Sequence, residues 1–179
     1  MVNSSNSNQT FLLSSLMLFV TLLFTSCRLQ SDDSNRTDLS PSLAGAWKEK
    51  LQFQTGAFAE IKDLEFMYVF NAGGTMTESS NYDAAPPVPP AYGIWKHVDG
   101  NEYEAKYEFY ITRIPSPAES KSSSGGWLPG GHGVLKEKIT LSPDGNSFTS
   151  TILYEGFDQS GKPMPGAGEG KGQGIRLQF

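Results

Sequence analysis

The 179-residue chain has one cysteine, two histidines and a small excess of acidic over basic side chains. One cysteine cannot form a disulfide within the chain, and it excludes Cys-rich zinc and iron–sulfur sites. His97 and His132 lie far apart in sequence, without the spacing of metal ligands. The net charge of −5, with no basic stripe, excludes the electrostatic footprint of a nucleic-acid-binding protein. We therefore predict no metal ion, no cofactor and no nucleic-acid partner.

Helical patterns are missing as well, whereas turn-forming residues are abundant. No stretch of about 10–12 residues repeats its apolar positions with the period of a helix. The 19 glycines and 11 prolines favour many turns. The Gly-rich segment 166–170 does not lead from a strand into a helix, so it is interpreted as a flexible turn rather than a phosphate site. No nucleophile elbow is visible, and we assign no catalytic residue.

The N-terminal part of the chain has the features of a targeting segment. An apolar run from Phe11 to Phe24 is followed by Thr25-Ser26-Cys27. The run is too short for a membrane-spanning helix, which needs about 20 apolar residues, and suits a signal peptide. Small residues before a cysteine at this place resemble the lipobox of bacterial lipoproteins.

The lipobox resemblance implies cleavage before Cys27 and lipidation of Cys27. It also implies a cell-envelope location, at the periplasmic or outer-membrane face of a Gram-negative cell. An ordinary secretory signal with a secreted product, or an uncleaved hydrophobic N-terminus, remain the alternatives. We predict a signal peptide over 1–27, a flexible polar tether over 28–41 and a single domain over 42–179.

The predicted domain consists almost entirely of strands. Apolar and polar residues alternate with period two, most clearly where Tyr103, Ala105 and Tyr107 alternate with Glu104 and Lys106. Short turn sequences such as Asp99-Gly100-Asn101 separate successive strands. The pattern predicts strands near 47–53, 64–70, 75–82, 92–98, 103–111, 134–141, 148–157 and 172–179. Two long loops are predicted, over 84–91 and 114–133.

Eight sequential strands without crossover helices predict an all-β fold, an eight-stranded antiparallel up-and-down β-barrel. Gly45-Ala46-Trp47 at the first strand resembles the Gly-x-Trp signature of lipocalins and their calycin relatives. In that family the tryptophan closes one end of the barrel, and an Arg or Lys from the last strand packs across its indole. The resemblance implies that Arg176 packs across Trp47 and that the domain is a lipocalin-like β-barrel.

Aromatic side chains dominate the predicted inner face. A small barrel is either filled by its side chains or holds one small ligand. We predict that a small apolar or amphipathic ligand contacts Phe53, Phe66, Tyr68, Tyr107, Phe109, Tyr154 and the loop residue Trp127.

The sequence leaves two further functions open, and it does not determine the oligomeric state. One is a small-barrel isomerase or cyclase, for which Glu49, Tyr68 and Tyr107 are inward-facing candidates. The other is a filled barrel that contacts another envelope protein through its long loops.

Overall fold

The computed structural model describes residues 42–82, 88–121 and 126–179. The predicted signal peptide, the tether and Cys27 lie outside these residues, so the expected lipid anchor stays a prediction. No helix among the described residues is long and apolar enough to span a bilayer.

The described chain forms an eight-stranded closed barrel in which every strand pairs with its neighbours in sequence. All pairings are antiparallel, and β1 pairs with β8 to close the barrel. The strands are β1 Gly45–Phe53, β2 Leu64–Phe70, β3 Thr75–Ser80, β4 Ala91–Asp99, β5 Glu102–Arg113, β6 Leu128–Leu141, β7 Ser147–Phe157 and β8 Gly168–Arg176. This confirms the predicted all-β up-and-down barrel.

The alternating pattern of the sequence becomes the two faces of the barrel wall. In β5, Tyr103, Ala105 and Tyr107 are buried, whereas Lys106 and Glu108 on the outer face form an ion pair of 2.9 Å. The polar strand β3 also pairs on both sides, with β2 and β4. Closure gives each described strand a partner on both sides, which limits the unpaired edges that otherwise promote aggregation.

Two segments that resemble loops in the sequence are strands in the structure. Strand β6 begins at Leu128, so part of the predicted loop over 114–133 pairs with β5, where Gly131 lies opposite Ile111. Strand β8 begins at Gly168 and includes part of the Gly-rich segment predicted as a turn. Both segments are rich in glycine, which has low strand propensity by itself, and the pairing partners decide their conformation. A short 3₁₀ helix, Glu119–Lys121, lies between β5 and β6.

Candidate functional site: a buried acid layer

Three carboxyl groups lie inside the barrel, in a layer with three hydroxyl groups. Each residue comes from an inward-facing position of a different strand. The acid layer consists of Glu49 on β1, Tyr68 on β2, Glu78 on β3, Tyr107 on β5, Glu137 on β6 and Ser150 on β7. Glu49 is fully buried, and Glu137 and Glu78 have exposed fractions of 1% and 6%. Acidic side chains are rarely buried to this extent, so the layer is the most unusual feature of the interior.

The Tyr68 hydroxyl lies at the centre of the layer. It is 2.8 Å from Glu49 Oε2, 3.1 Å from Glu137 Oε2 and 3.1 Å from the Tyr107 hydroxyl. Tyr107 donates a second hydrogen bond to Glu137 Oε2 at 3.0 Å, and Ser150 donates to Glu49 Oε1. Five side chains from five strands are therefore connected in one network.

The network does not satisfy all of its carboxyl oxygens. Glu137 Oε1 and Glu78 Oε1 are buried and have no hydrogen-bond partner among the described residues. Each hydroxyl has only one proton to donate, so Tyr68, Tyr107 and Ser150 cannot serve every carboxyl oxygen at once. A buried acceptor without a partner is costly, and protein interiors contain few of them.

Burial raises the pKa of all three carboxyls, and repulsion from Glu137 adds to the shift at Glu49 and Glu78. Burial is the main cause at Glu49, whose pKa is well above its ordinary value, and the charge of Glu137 raises it further. At Glu78 the same two causes raise the pKa to about 8. Burial also raises the pKa of Glu137, although hydrogen bonds from Tyr107 and Tyr68 oppose the shift. Glu49 and Glu137 affect each other's proton binding, so the two carboxyls titrate as a pair.

Strand β8 makes room for this layer because its four inward-facing positions before Arg176 are all glycine. They are Gly168, Gly170, Gly172 and Gly174. A Cβ atom at Gly172 would overlap the Glu49 carboxyl, and one at Gly174 would overlap the Phe148 ring. Core side chains therefore fill the space beside β8, and the glycines do not line an open channel.

One end of the barrel, which we call the tryptophan end, is closed by Trp47 and Arg176. The Arg176 guanidinium lies 4.2 Å from the centre of the indole ring. Arg176 also donates to the carbonyl oxygens of Ser42, Ala44 and Gly145 at 2.6–2.7 Å. Gly45 has a positive φ of 137°, and a side chain there would overlap the guanidinium. This is the geometry implied by the Gly-x-Trp resemblance.

The opposite end, which we call the capped end, is covered by a side chain from outside the strands. Phe58 lies in the segment 54–63 between β1 and β2. Its ring centre is 5.3 Å from that of Phe53, 5.8 Å from Tyr82 and 4.7 Å from Tyr154. The Gln52 side chain holds the segment by donating to the carbonyl oxygens of Ala59 and Ile61 at 3.2 and 3.4 Å.

The structure separates the predicted ligand-contacting residues into three groups. Tyr68 and Tyr107 belong to the acid layer, whereas Phe53, Phe66, Phe109 and Tyr154 lie in the aromatic core. Trp127 is 42% exposed and lies outside this core, directly before β6. Trp127 is therefore not placed with the other predicted ligand contacts.

Sequence reasoning missed four residues that now define the interior: Glu78, Glu137, Ser150 and Phe58. The alternation places Glu137 on the same face of its strand as the inward-facing Leu135 and Ile139. An inward charged residue in an alternating strand was therefore a usable signal. No comparable signal existed for Phe58, because its segment has no regular pattern.

The outer wall carries both charged side chains and exposed apolar ones, among them Tyr92 and Ile94. A groove along β4 to β8 is lined by outward-facing Ile94, Lys96, Lys106, Lys136 and other residues. His97 contacts Gly100 O, and His132 stacks on Phe157, so the two histidines do not meet. The described part of the chain has no cluster of His, Cys, Asp or Glu residues suited to a metal ion.

No protein-family model matches the chain, and no curated protein matches it.

Proposed function

We propose that the protein is an exported, membrane-tethered binding protein that takes up one small amphipathic molecule through the capped end of its barrel. The observation that carries the proposal is the arrangement of a polar layer behind a mouth covered by a loop side chain. The acid layer offers oxygen atoms, and the aromatic rings around Phe58 offer apolar surface. Binding sites commonly combine apolar walls with a few polar groups in this way.

The packing of the interior determines how such a ligand would be accommodated. Strand side chains fill the interior beside β8. The volume for a ligand must therefore come from a segment of the chain that can move. Phe58 is attached through a loop rather than through a strand ladder, and loops open at lower free energy than paired strands. The ligand would therefore replace the Phe58 ring against Phe53, Tyr82 and Tyr154.

Binding of the neutral dye Nile red to the full chain tests this proposal. We expect saturable binding with one site, and a Phe58→Ala variant should bind about fivefold or more tightly, since the competing ring is gone. Ile94→Ser serves as the control, because Ile94 is 63% exposed on the outer wall. Its binding should match the wild type. If no variant binds saturably, or if only Ile94→Ser loses binding, the internal site is refuted. The filled barrel with partner-binding loops would then be favoured.

The proposed location depends on Cys27, outside the described residues. We expect the wild-type protein to partition into the detergent phase after expression in a bacterium with lipoprotein processing. The Cys27→Ser variant should move to the aqueous phase or remain as the uncut precursor. Equal partitioning of the processed proteins would refute the lipid anchor and would support a secreted product. This result would leave the binding proposal untouched.

A small-barrel isomerase or cyclase is the second candidate, favoured by the acid layer itself. A carboxyl with a raised pKa keeps its proton near neutral pH and can donate it to a bound substrate. The two candidates differ in the fate of the ligand. A bound molecule that is recovered chemically unchanged supports a binding protein, whereas conversion to an isomer supports the enzyme.

A further inference from the structure

We infer that the acid layer recognises a basic nitrogen, so that the molecule bound in the barrel is a small organic amine with an apolar body. This inference rests on the ligand binding proposed above and specifies the chemistry of the ligand. It is carried by the excess of carboxyl groups inside the barrel and by their unpaired oxygens.

The three carboxyls have no cationic partner among the residues that the structure describes. The side chains whose charge or hydrogen bonds shift the pKa of these carboxyls are other carboxyls and hydroxyls. The lysines next to them in sequence point outward: Lys48 pairs with Glu65 at 2.8 Å, and Lys136 pairs with Glu155 at 2.7 Å. Arg176 lies at the tryptophan end, where backbone carbonyls accept its hydrogen bonds. A cation in the layer would therefore take the place of the protons that these carboxyls hold, and no cationic side chain among the described residues competes for that place.

The hydrogen-bonding capacity of the layer points to the same ligand class. Glu137 Oε1 and Glu78 Oε1 need donors, and the hydroxyls of the layer already donate to other oxygens. An ammonium group carries three N–H donors and no acceptor, so it complements the carboxylates that are left once these carboxyls have released their protons. Hydrogen bonds between an ammonium and a carboxylate are also stronger than neutral ones. A neutral alcohol offers one donor and brings a further acceptor.

The surroundings of the layer set the size of the molecule. Phe66 packs against Tyr68 with ring centres 6.0 Å apart, so aromatic side chains directly adjoin the polar groups. The space that opens at the capped end is that of one benzyl group, the side chain of Phe58. Phenethylamine, one ring with a short ammonium-bearing chain, is therefore a suitable probe. Phenethyl alcohol has the same shape without the charge.

Calorimetric titration of the full chain with these two probes at pH 7 tests the inference. We expect the wild-type protein to bind the amine about tenfold or more tightly than the alcohol. Binding of the amine should release protons, because a cation in the layer lowers the pKa of the carboxyls, and Glu78 has a pKa of about 8. Proton release is seen as a dependence of the binding heat on the ionisation enthalpy of the buffer. The alcohol should release none.

The Glu137→Gln variant should lose most of the preference for the amine and keep its affinity for the alcohol. The matched control is Glu155→Gln, which removes a carboxyl from the outer wall and should retain the preference. Glu78→Gln replaces Glu137→Gln if the latter does not fold, and the two wild-type titrations need no variant at all.

The outcomes separate this inference from the proposal beneath it. Equal affinity for amine and alcohol without proton release would overturn the amine inference and leave the binding proposal standing. If neither probe binds and Nile red does not bind, the binding proposal itself fails. Nile red binding without binding of either probe would overturn the assignment of the acid layer as the recognition site.

Discussion

The two ends of the barrel are closed by different kinds of interaction. At the tryptophan end, Arg176 connects the last strand to the carbonyl oxygens of Ser42, Ala44 and Gly145. Trp47 is fully buried beneath it and donates to the Leu43 carbonyl at 2.8 Å. At the capped end, Phe58 is held by ring packing and by the Gln52 side chain, and the Ala57 amide next to it donates to the Gly166 carbonyl.

This difference assigns different roles to the two ends. Charge-assisted hydrogen bonds to backbone, together with a large buried ring, make the tryptophan end resistant to local opening. Aromatic packing from a loop costs less to undo, because only a few ordered residues must be released. The acid layer lies between the two ends, so the proposed ligand would approach it from the side of Phe58.

The largest effect is expected from breaking the tryptophan end. Trp47→Ala should lower the free energy of unfolding by about 3–5 kcal/mol, because a large buried ring is replaced by a cavity. Chemical denaturation monitored by far-UV circular dichroism measures the change. Trp127→Ala is the matched control, since that indole is 42% exposed and outside the core. A comparable loss for both tryptophans would contradict the special role of the tryptophan end.

The second-largest effect on stability is expected from changing the pH around the acid layer, which lies between the two ends. Glu78 has a pKa of about 8 in the folded protein against an ordinary value of 4.5, so the folded state binds the proton more tightly. Its contribution to stability is complete below pH 4.5 and is lost as pH rises toward 8. The free energy of unfolding should therefore fall from pH 5 to pH 8, by about 1.4 kcal/mol per pH unit for each proton involved.

The Glu78→Gln variant separates this contribution from the others. Its unfolding free energy should depend less steeply on pH than that of the wild type, because one titrating group is gone. Glu104→Gln, on the outer face of β5 beside Lys96, should keep the wild-type dependence. Denaturant titrations at pH 5, 6, 7 and 8 make the comparison. Parallel profiles for wild type and Glu78→Gln would show that Glu78 does not titrate in this window.

The smallest effect is expected at the capped end. Gln52→Ala removes the hydrogen bonds to Ala59 and Ile61 and should cost about 1 kcal/mol of global stability. Amide hydrogen exchange should speed up at Ala57 and Ile61, whose amides bond to Gly166 and Phe58. The Leu177 amide at the tryptophan end should be unchanged. Gln173→Ala, on the exposed face of β8, is the control, and faster exchange at Leu177 as well would argue against independent ends.

Much of the fold could be predicted because strand alternation is a local property. The inner and outer faces of β1, β2 and β5 follow from the residue types alone, as does the antiparallel order imposed by short turns. The start of β6 at Leu128 and of β8 at Gly168 could not be predicted in this way. Glycine there signals a loop, whereas the structure uses it where strands and core side chains approach closely.

The sequence by itself determined the barrel class, the Gly45-Ala46-Trp47 position at the first strand and the inward direction of Tyr68 and Tyr107. Only the tertiary structure decided that Glu49, Glu78 and Glu137 share one layer and that Phe58 covers one end. The physical reason is that residue type and period two fix the face on which a side chain lies. The stagger between eight paired strands fixes which side chains meet across the barrel, and the stagger depends on all the strands together.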